Sequence, residues 1–257
     1  MINKDFNFDY ESDQKARDLL LSYFNNKDPK WNLESVVESF RKRIQNKKSI
    51  FIYGCGPSLV KTVNYIINTP QKEQFINSIH LTADGATTFL KKLNIPVDAA
   101  FTDLDGIIAE DFFYPNYIIV HAHGDNIHRL LNYQNEILKA KNIIGTTQVE
   151  PCEKILNPGG FTDGDRILFF IKAFITSDQK IYLIGMDFKD VIGQYSKPEY
   201  ERDQKGSPTK IKKLDYAYKL ISWLAERIDN KMYLLNGQLK IKNIESVPLS
   251  EISNFQF

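Results

Sequence analysis

An α/β fold built on a mostly parallel sheet is what this sequence predicts, and three observations carry the prediction. From Ser49 onward, short β-rich runs alternate with helical segments, the order that stacks βα units into a parallel sheet. The runs end in polar turns, as in IFIYGCG, IHLTADGA, AAFTDLDG, YIIVHAHGD, IIGTTQ and IYLIGMDF. The ligand of an open parallel sheet sits just beyond the carboxyl ends of its strands. Before the first run, residues 13–46 carry helical patterning instead.

In chain order, QKARDLLLSYF reads as a helix and the pattern breaks near Asp28 and Pro29. LESVVESFRKRI then places Leu33, Val36, Val37, Phe40 and Ile44 on one face. Residues 1–48 are therefore expected to form a helical annex, and residues 49–257 the α/β catalytic domain. Strands are expected at 49–54, 78–83, 98–102, 116–121, 142–146, 180–185 and 232–236. Helices are expected at 57–68, 86–93, 126–139, 163–176 and about 210–229. Right-handed crossovers would place these helices on both faces of the sheet, giving a Rossmann-like sandwich. The polar stretch 189–209, broken by Gly and Pro, is too long for an ordinary connection and reads as a lid.

With 257 residues and 42% hydrophobic content, the chain can bury one sizeable core. Thirty-three basic and thirty-two acidic residues leave no bulk field to attract nucleic acid or an anionic membrane. Apolar stretches such as 117–121 and 181–186 are far shorter than the roughly 20 residues of a membrane helix. The N-terminus MINKDFNFDYESD has no signal-peptide apolar region, so a cytoplasmic location is expected. Cys55 and Cys152 lie far apart without CxxC spacing and read as small buried residues, not as a zinc, redox or disulfide pair. Nothing in the sequence specifies an oligomeric state.

The chemistry concentrates at the strand ends. Gly54 and Gly56 allow a sharp turn, Pro57 suits a first helical turn, and the helix opening at Ser58 presents free N–H groups to a phosphate. The turn lacks the Gly-Lys-Ser/Thr of a Walker loop and the third glycine of the dinucleotide fingerprint, and a plain strand-to-helix turn is its other reading. Asp84, followed by Gly85 and Ala86, is placed to accept from ribose hydroxyls or to cap a helix. If the strand persists beyond Thr102, Asp103 and Asp105 project to one side, where Mg²⁺ would bridge polyphosphate oxygens; a solvated turn is the alternative.

His121 and His123 would likewise share a face and hydrogen-bond phosphate or substrate, since no further His or Cys completes a transition-metal site. Asp125 is expected to join the carboxylate rim and Asn126 to cap the next helix, while His128 reads as packing or exposed. A second glycine-rich helix entry runs Gly159 to Arg166. There Thr162 or Asp163 caps, Gly164 and Asp165 follow, and Arg166 is the expected fork onto phosphate oxygens. Asp187 closes another strand, with Phe188 available to stack on a ring. Lys205, Lys210, Lys212 and Lys213 read as a solvated face from which one lysine can close onto polyphosphate, and Tyr216 and Trp223 read as core-facing.

Taken in order, GCGPSL, ADGA, TDLDG, HAHGDN, FTDGDR and GMDF resemble the archaeal 6-hydroxymethyl-7,8-dihydropterin diphosphokinases, a family related to thiamin pyrophosphokinase, over about residues 50–190. TDLDG departs from the Gly-Asp-x-Asp-Ser element of thiamin pyrophosphokinases, which favours the pterin branch. The resemblance implies Mg²⁺-dependent transfer of diphosphate from ATP to the dihydropterin hydroxymethyl group, with release of AMP. It implies Asp103 and Asp105 as metal ligands with Asp125 or Asp165 assisting. Arg166 and the Gly54–Ser58 turn would lie on phosphates, Asp84 near the ribose or pterin, and His123 would accept the hydroxyl proton. Thiamin pyrophosphokinase, and a nucleotide-sugar glycosyltransferase using Asp-Leu-Asp as its metal motif, are the rival enzymatic readings, and a nucleotide-binding module without turnover is the non-enzymatic one. Phosphate and metal follow from the residues; the pterin follows from the resemblance.

Overall fold

The computed structural model describes residues 5, 6 and 8–257. Helix α1 (Tyr10–Asn25) opens where the Asp9 carboxylate accepts the Glu11 N–H at 3.2 Å, and α2 (Leu33–Gln45) opens on Asn32, which accepts from Ser35 N–H at 2.8 Å. Leu33, Val36, Phe40 and Ile44 are buried, as the periodicity predicts. Between the two helices, Lys27 is buried and donates to the carbonyls of Ile137, Leu138 and Ala140 at 2.7, 3.0 and 2.7 Å. A charge at the carboxyl end of a helix is favourable, so this lysine fastens the N-terminal helices to the layer beneath.

The sheet contains β1 (Ser49–Tyr53), β2 (Ile79–Ala83), β3 (Ala99–Thr102), β4 (Tyr117–Ala122), β5 (Ile143–Thr147), β6 (Ile155–Leu156), β7 (Lys180–Ile184), β10 (Met232–Leu235) and β11 (Ile244–Val247). A separate antiparallel ribbon, β8 (Val191–Ile192) with β9 (Gln204–Lys205), forms inside the expected lid. The sheet order is β11-β10-β7-β1-β2-β3-β4-β5-β6, and all its strand pairs are parallel. Alternate residues of each strand serve opposite faces. Ile50, Ile52, Leu81 and Phe101 pack with α2, α8 (Asp163–Ile171) and α9 (Pro208–Ala225). Phe51, Tyr53, Val120 and Ala122 face the other layer, made by α1, α3 (Ser58–Ile66), α4 (Lys72–Ile76), α5 (Ala86–Lys92), α6 (Ile127–Asn132) and α7 (Gln134–Lys139). The Rossmann-like sandwich is borne out.

Three expectations change locally. The helix expected at 126–139 is two, broken at Tyr133, whose hydroxyl donates to the Ile107 carbonyl at 2.8 Å. Helix α8 ends at Ile171, where the Phe174 and Ile175 N–H groups both turn back onto the Ile171 carbonyl at 2.8 and 3.1 Å. Trp223 is not a core residue: the buried stripe of α9 is Ala217, Ile221, Leu224 and Ala225, and Trp223 lies 47% exposed beside it, stacked on Phe169. No helix among the described residues is long and apolar enough to cross a membrane.

His80 on β2 is fully buried. Its Nε2–H donates to the Phe75 carbonyl at 2.9 Å, so Nδ1 accepts from the Tyr53 hydroxyl at 2.7 Å, a neutral tautomer. Burial pushes the imidazole from 6.5 down to about 4. Between those values the unfolded chain binds the proton and the native state does not, so stability falls as pH drops below about 6.5, by up to about 3 kcal/mol near pH 4. In parallel thermal melts the Tm of the wild type minus that of His80→Gln should fall from about pH 7.5 to 4.5, which isolates this contribution from those of the acidic groups.

Candidate active site

Strand β1 pairs with β2 on one side and with β7 on the other, and the chain runs outward from it in both directions. That reversal is where an open α/β sheet forms its crevice. One wall is the Gly54–Ser58 turn, but it is not an open phosphate cradle. The N–H groups of Gly54, Gly56 and Ser58 already go to the Ile184 carbonyl, the Gly185 carbonyl and Asp187 Oδ2 at 2.9, 2.8 and 3.0 Å. Ser58 Oγ adds a second bond to Asp187 at 2.9 Å, so Asp187 seals the start of α3, just after Pro57, while also lining the first chamber. Glycine at 56 is required because a Cβ there would collide with the Asp187 carboxylate and the Gly185 carbonyl. Cys55 Sγ rests on the Ala83 carbonyl at 3.2 Å, and both cysteines are free.

Adjacent strands β2 and β3 bring the acidic residues together. Asp84 follows β2 with φ 44° and accepts from Thr102 Oγ1 at 2.6 Å. The strand does not persist through TDLDG: Leu104 sits at φ 70°, with its N–H on Thr102 Oγ1 at 2.7 Å and the Asp105 N–H on Asp103 Oδ1 at 3.1 Å. Left-handed non-glycine residues cost of order 1 kcal/mol each, and here the turn converges carboxylates that an extended strand would only align. One oxygen each from Asp84, Asp103 and Asp105 lies within 4.8 Å of the others. Asp163, the first residue of α8, stands against Asp84.

The electrostatics follow from this crowding. Burial, then the charges of Asp163, Asp103 and Asp105, push the Asp84 carboxyl well up, and burial with the Asp103 charge pushes Asp163 to about 7. Burial and Asp103 also raise Asp105, against which Lys197 from the lid places its ammonium at 3.2 Å. Asp103 goes the other way: burial would raise it, but the His123 imidazole at 3.4 Å and the Asp105 N–H hold it well below the usual range. Hard oxygen donors and surplus buried negative charge are the donor set Mg²⁺ takes.

Asp125 is not brought to this group. It lies exposed in the turn Gly124–Asn126, which is closed by the Gly124 N–H on Asp13 at 2.7 Å. Asn126 is buried and spends its amide on the Asp103 and His121 carbonyls, both at 2.7 Å, tying two strand ends together. The Asn126 N–H goes to the His123 carbonyl at 3.1 Å, and His123 Nε2 faces Asp103 Oδ2 at 3.4 Å, so this imidazole orients the Asp103 carboxylate. His128 is exposed.

The Gly159–Arg166 segment departs furthest from expectation. Gly159 and Gly160 adopt φ 91° and 86°, and Arg166, 2% exposed, turns inward to donate to the Gly159 and Phe161 carbonyls at 3.3 and 3.1 Å. Asp165, pushed up by burial and held back by hydrogen bonds, accepts from the N–H groups of Phe161 and Thr162 at 2.7 and 2.6 Å and from the Thr162 hydroxyl at 2.5 Å. Arg166 thus clamps the loop that presents Phe161 and is not a phosphate fork.

Two chambers share Asp84, Thr162, Asp163, Ser196 and Lys210. The first runs over Gly54–Gly56, Gly164, Met186 and Phe188; the second, about 630 Å³, holds Asp103, Asp105, His121, His123, Gln148 and Phe161. That volume suits a small-molecule site. Lys205, Lys210 and Lys213 line the second chamber, whereas Lys212 donates to the Asp5 carbonyl at 2.7 Å. Tyr216 is half-buried beside Phe161, 6.0 Å ring to ring. Phe8 and Lys197 lie outside the sequence motifs, and Gln148 is the polar end of IIGTTQ, a run to which the sequence assigns no role.

The lid seats directly on these turns. The Gly193 N–H reaches the Cys55 carbonyl at 3.1 Å, and a Cβ on Gly85 would collide with the Tyr195 carbonyl oxygen. Gly85 has an ordinary φ of −68°, so Gly85→Ala keeps the fold but lifts the lid. It should raise the KM for the nucleotide about tenfold and speed proteolytic cleavage within 193–203.

Fold and site together define a Rossmann-like α/β protein with a carboxylate crevice at the switch point of a parallel sheet. A solved structure of similar fold is MAf glycosyltransferase from Magnetospirillum magneticum, with TM-score 0.51 and 12% identity, covering 80% of this chain and 34% of that one; such a likeness is one of fold alone. The chain belongs to the 6-hydroxymethylpterin diphosphokinase MptE-like family, which it matches over residues 24–193. It is 35% identical over 240 residues to the 6-hydroxymethyl-7,8-dihydropterin pyrophosphokinase of Methanocaldococcus jannaschii, covering 89% of this chain and 93% of that protein. The protein of the same name from Pyrococcus furiosus is 31% identical over 245 residues, 93% of each chain. That from Methanothermobacter thermautotrophicus is 38% identical over 183 residues, 69% of this chain and 74% of its own.

Proposed function

We propose that this protein transfers a diphosphate group from ATP to the hydroxymethyl oxygen of 6-hydroxymethyl-7,8-dihydropterin, releasing AMP. The observation that carries the reading is the convergence of Asp84, Asp103 and Asp105 in a small-molecule crevice, in a chain of this family. The hydroxyl oxygen attacks the β-phosphorus, the bond from that phosphorus to the α-phosphate bridging oxygen breaks, AMP leaves with the electron pair, and the hydroxyl proton passes to the carboxylates alongside. Such a transfer asks the protein mainly for positioning and for neutralised charge. Asp103 and Asp105, with Asp84, would hold Mg²⁺, which when bound supplies the charge neutralisation that polyphosphate needs. His123 keeps Asp103 ionised and placed, and Lys210, lining both chambers, is set to meet the polyphosphate. With ATP as donor, the reaction belongs in the cytoplasm.

The test is incubation with ATP, Mg²⁺ and the pterin alcohol, against thiamin and nucleotide-sugar controls. AMP should form one for one with pterin diphosphate and only when both substrates are present. Production of ADP, or of AMP at a rate indifferent to the pterin, would overturn the reading.

A further inference from the structure

The second chamber has an end that the diphosphate chemistry leaves unused. His121 is 3% exposed, and its ring lies 5.6 Å from that of His123, stacked on it. The Thr146 hydroxyl donates to the Val120 carbonyl at 3.4 Å, so Thr146 accepts from His121 Nδ1–H at 3.1 Å. The other ring nitrogen, Nε2, is then a bare acceptor, and it has no hydrogen-bond partner among the described residues although it is buried at the cavity wall. Burial first, then the charges of Arg166 and His123, keep this imidazole neutral, although the Gln148 side chain beside it pulls the other way. Beside it, Gln148 gives its amide N–H to Asp13 at 2.7 Å, which leaves Oε1 as the end it presents to the chamber. Two acceptors side by side ask for a partner with two adjacent donors. Phe161, held by Asp165 and Arg166, supplies an aromatic wall next to them.

We infer that His121 is a specificity-determining residue that, with Gln148 Oε1, accepts hydrogen bonds from the amino and ring N–H donors of the acceptor's heteroaromatic ring. This rests on the diphosphokinase reading and adds which end of the chamber takes the ring. A 2-amino-4-oxo pyrimidine edge has adjacent donors, and seating it at His121 leaves the substituent on the far side of the ring free to meet the Asp103 and Asp105 carboxylates of the same chamber. A 2,4-dioxo ring would put a carbonyl lone pair against His121 or Gln148.

The test is equilibrium binding to the full chain without nucleotide, using 6-hydroxymethylpterin and the corresponding 6-hydroxymethyl-lumazine, which carries oxygen in place of the 2-amino group. The wild type should bind the pterin about tenfold or more tightly than the lumazine. His121→Phe should lose about that factor for the pterin and bind the two rings alike, with ATP affinity unchanged; His121→Gln, which restores an acceptor, should regain part of it. Equal affinity of the wild type for the two rings overturns the inference without any variant. So does a His121→Phe protein that still discriminates. A wild type that turns over the pterin alcohol yet ignores its amino group sinks this assignment alone, whereas one that neither binds nor turns over the pterin sinks the functional reading with it.

Discussion

Asp103→Asn and Asp105→Asn should each lower kcat/KM by about a thousandfold while leaving the protein folded. Among the described residues, this carboxylate group concentrates more negative charge than its neighbouring cations match. Lys197 meets Asp105 and His123 meets Asp103, but the charges that act on Asp84 are those of other carboxylates. A group whose folded-state pKa is raised stabilises the fold at low pH and loses that contribution as pH rises through the raised value. For Asp163 the loss runs from the ordinary carboxylate range up to about 7, and for Asp84 it continues up to its own raised value. Metal-free protein should therefore melt lower at about pH 8 than at about pH 6, and Mg²⁺ should restore several degrees at pH 8. Asp84→Asn, which can keep the left-handed backbone and the Thr102 hydrogen bond, should raise the metal-free Tm while cutting activity. Full activity in the Asp103 and Asp105 variants, or a Tm indifferent to Mg²⁺ in the wild type and the variants alike, would remove the metal from these residues.

Arg166→Met should cost about 3–5 kcal/mol, which lowers the Tm by about 10 °C in a chain of this size. The guanidinium is buried, serves the Gly159 and Phe161 carbonyls, and is the positive charge nearest Asp163 and Asp165. Removing it leaves two acceptors and two buried carboxyls without that partner. A phosphate fork behaves differently: its loss raises the KM for ATP and leaves the Tm alone. Calorimetry and steady-state kinetics on the one variant separate the two roles, and an unchanged Tm with a raised KM would restore the fork.

The strand ends are legible in sequence because a parallel strand must stop in a turn, and Gly, Asp and His at those stops are conspicuous. Which ends stand side by side is not legible, since strand order is a tertiary fact. Asp84 joins Asp103 and Asp105 only because β2 pairs with β3, with Leu81 beside Ala99. Asp125, equally prominent in the sequence, is carried outward by one short turn held by Asp13 from α1. Arg166 misleads for a related reason. A charged residue in the first turn of a helix looks like a ligand group until the preceding glycines fold back and draw its guanidinium onto the loop carbonyls. The outward Trp223 is a matter of phase, since the buried stripe of α9 is narrow and drawn by small residues.

The position of β1 bears on how the crevice comes into being. Ile50 is paired with Ile79 on one side and with Ile181 on the other. The first pairing closes a short loop, while the second must bring together residues separated by half the chain, and contacts of such long range form slowly. The β1–β5 half can therefore assemble as a local unit while the Gly185 wall, the Asp187 seal on α3 and the lid beyond it are still missing. The catalytic crevice is then a late product of folding, closed when β7 docks, and a refolding chain should acquire secondary structure before it acquires nucleotide affinity.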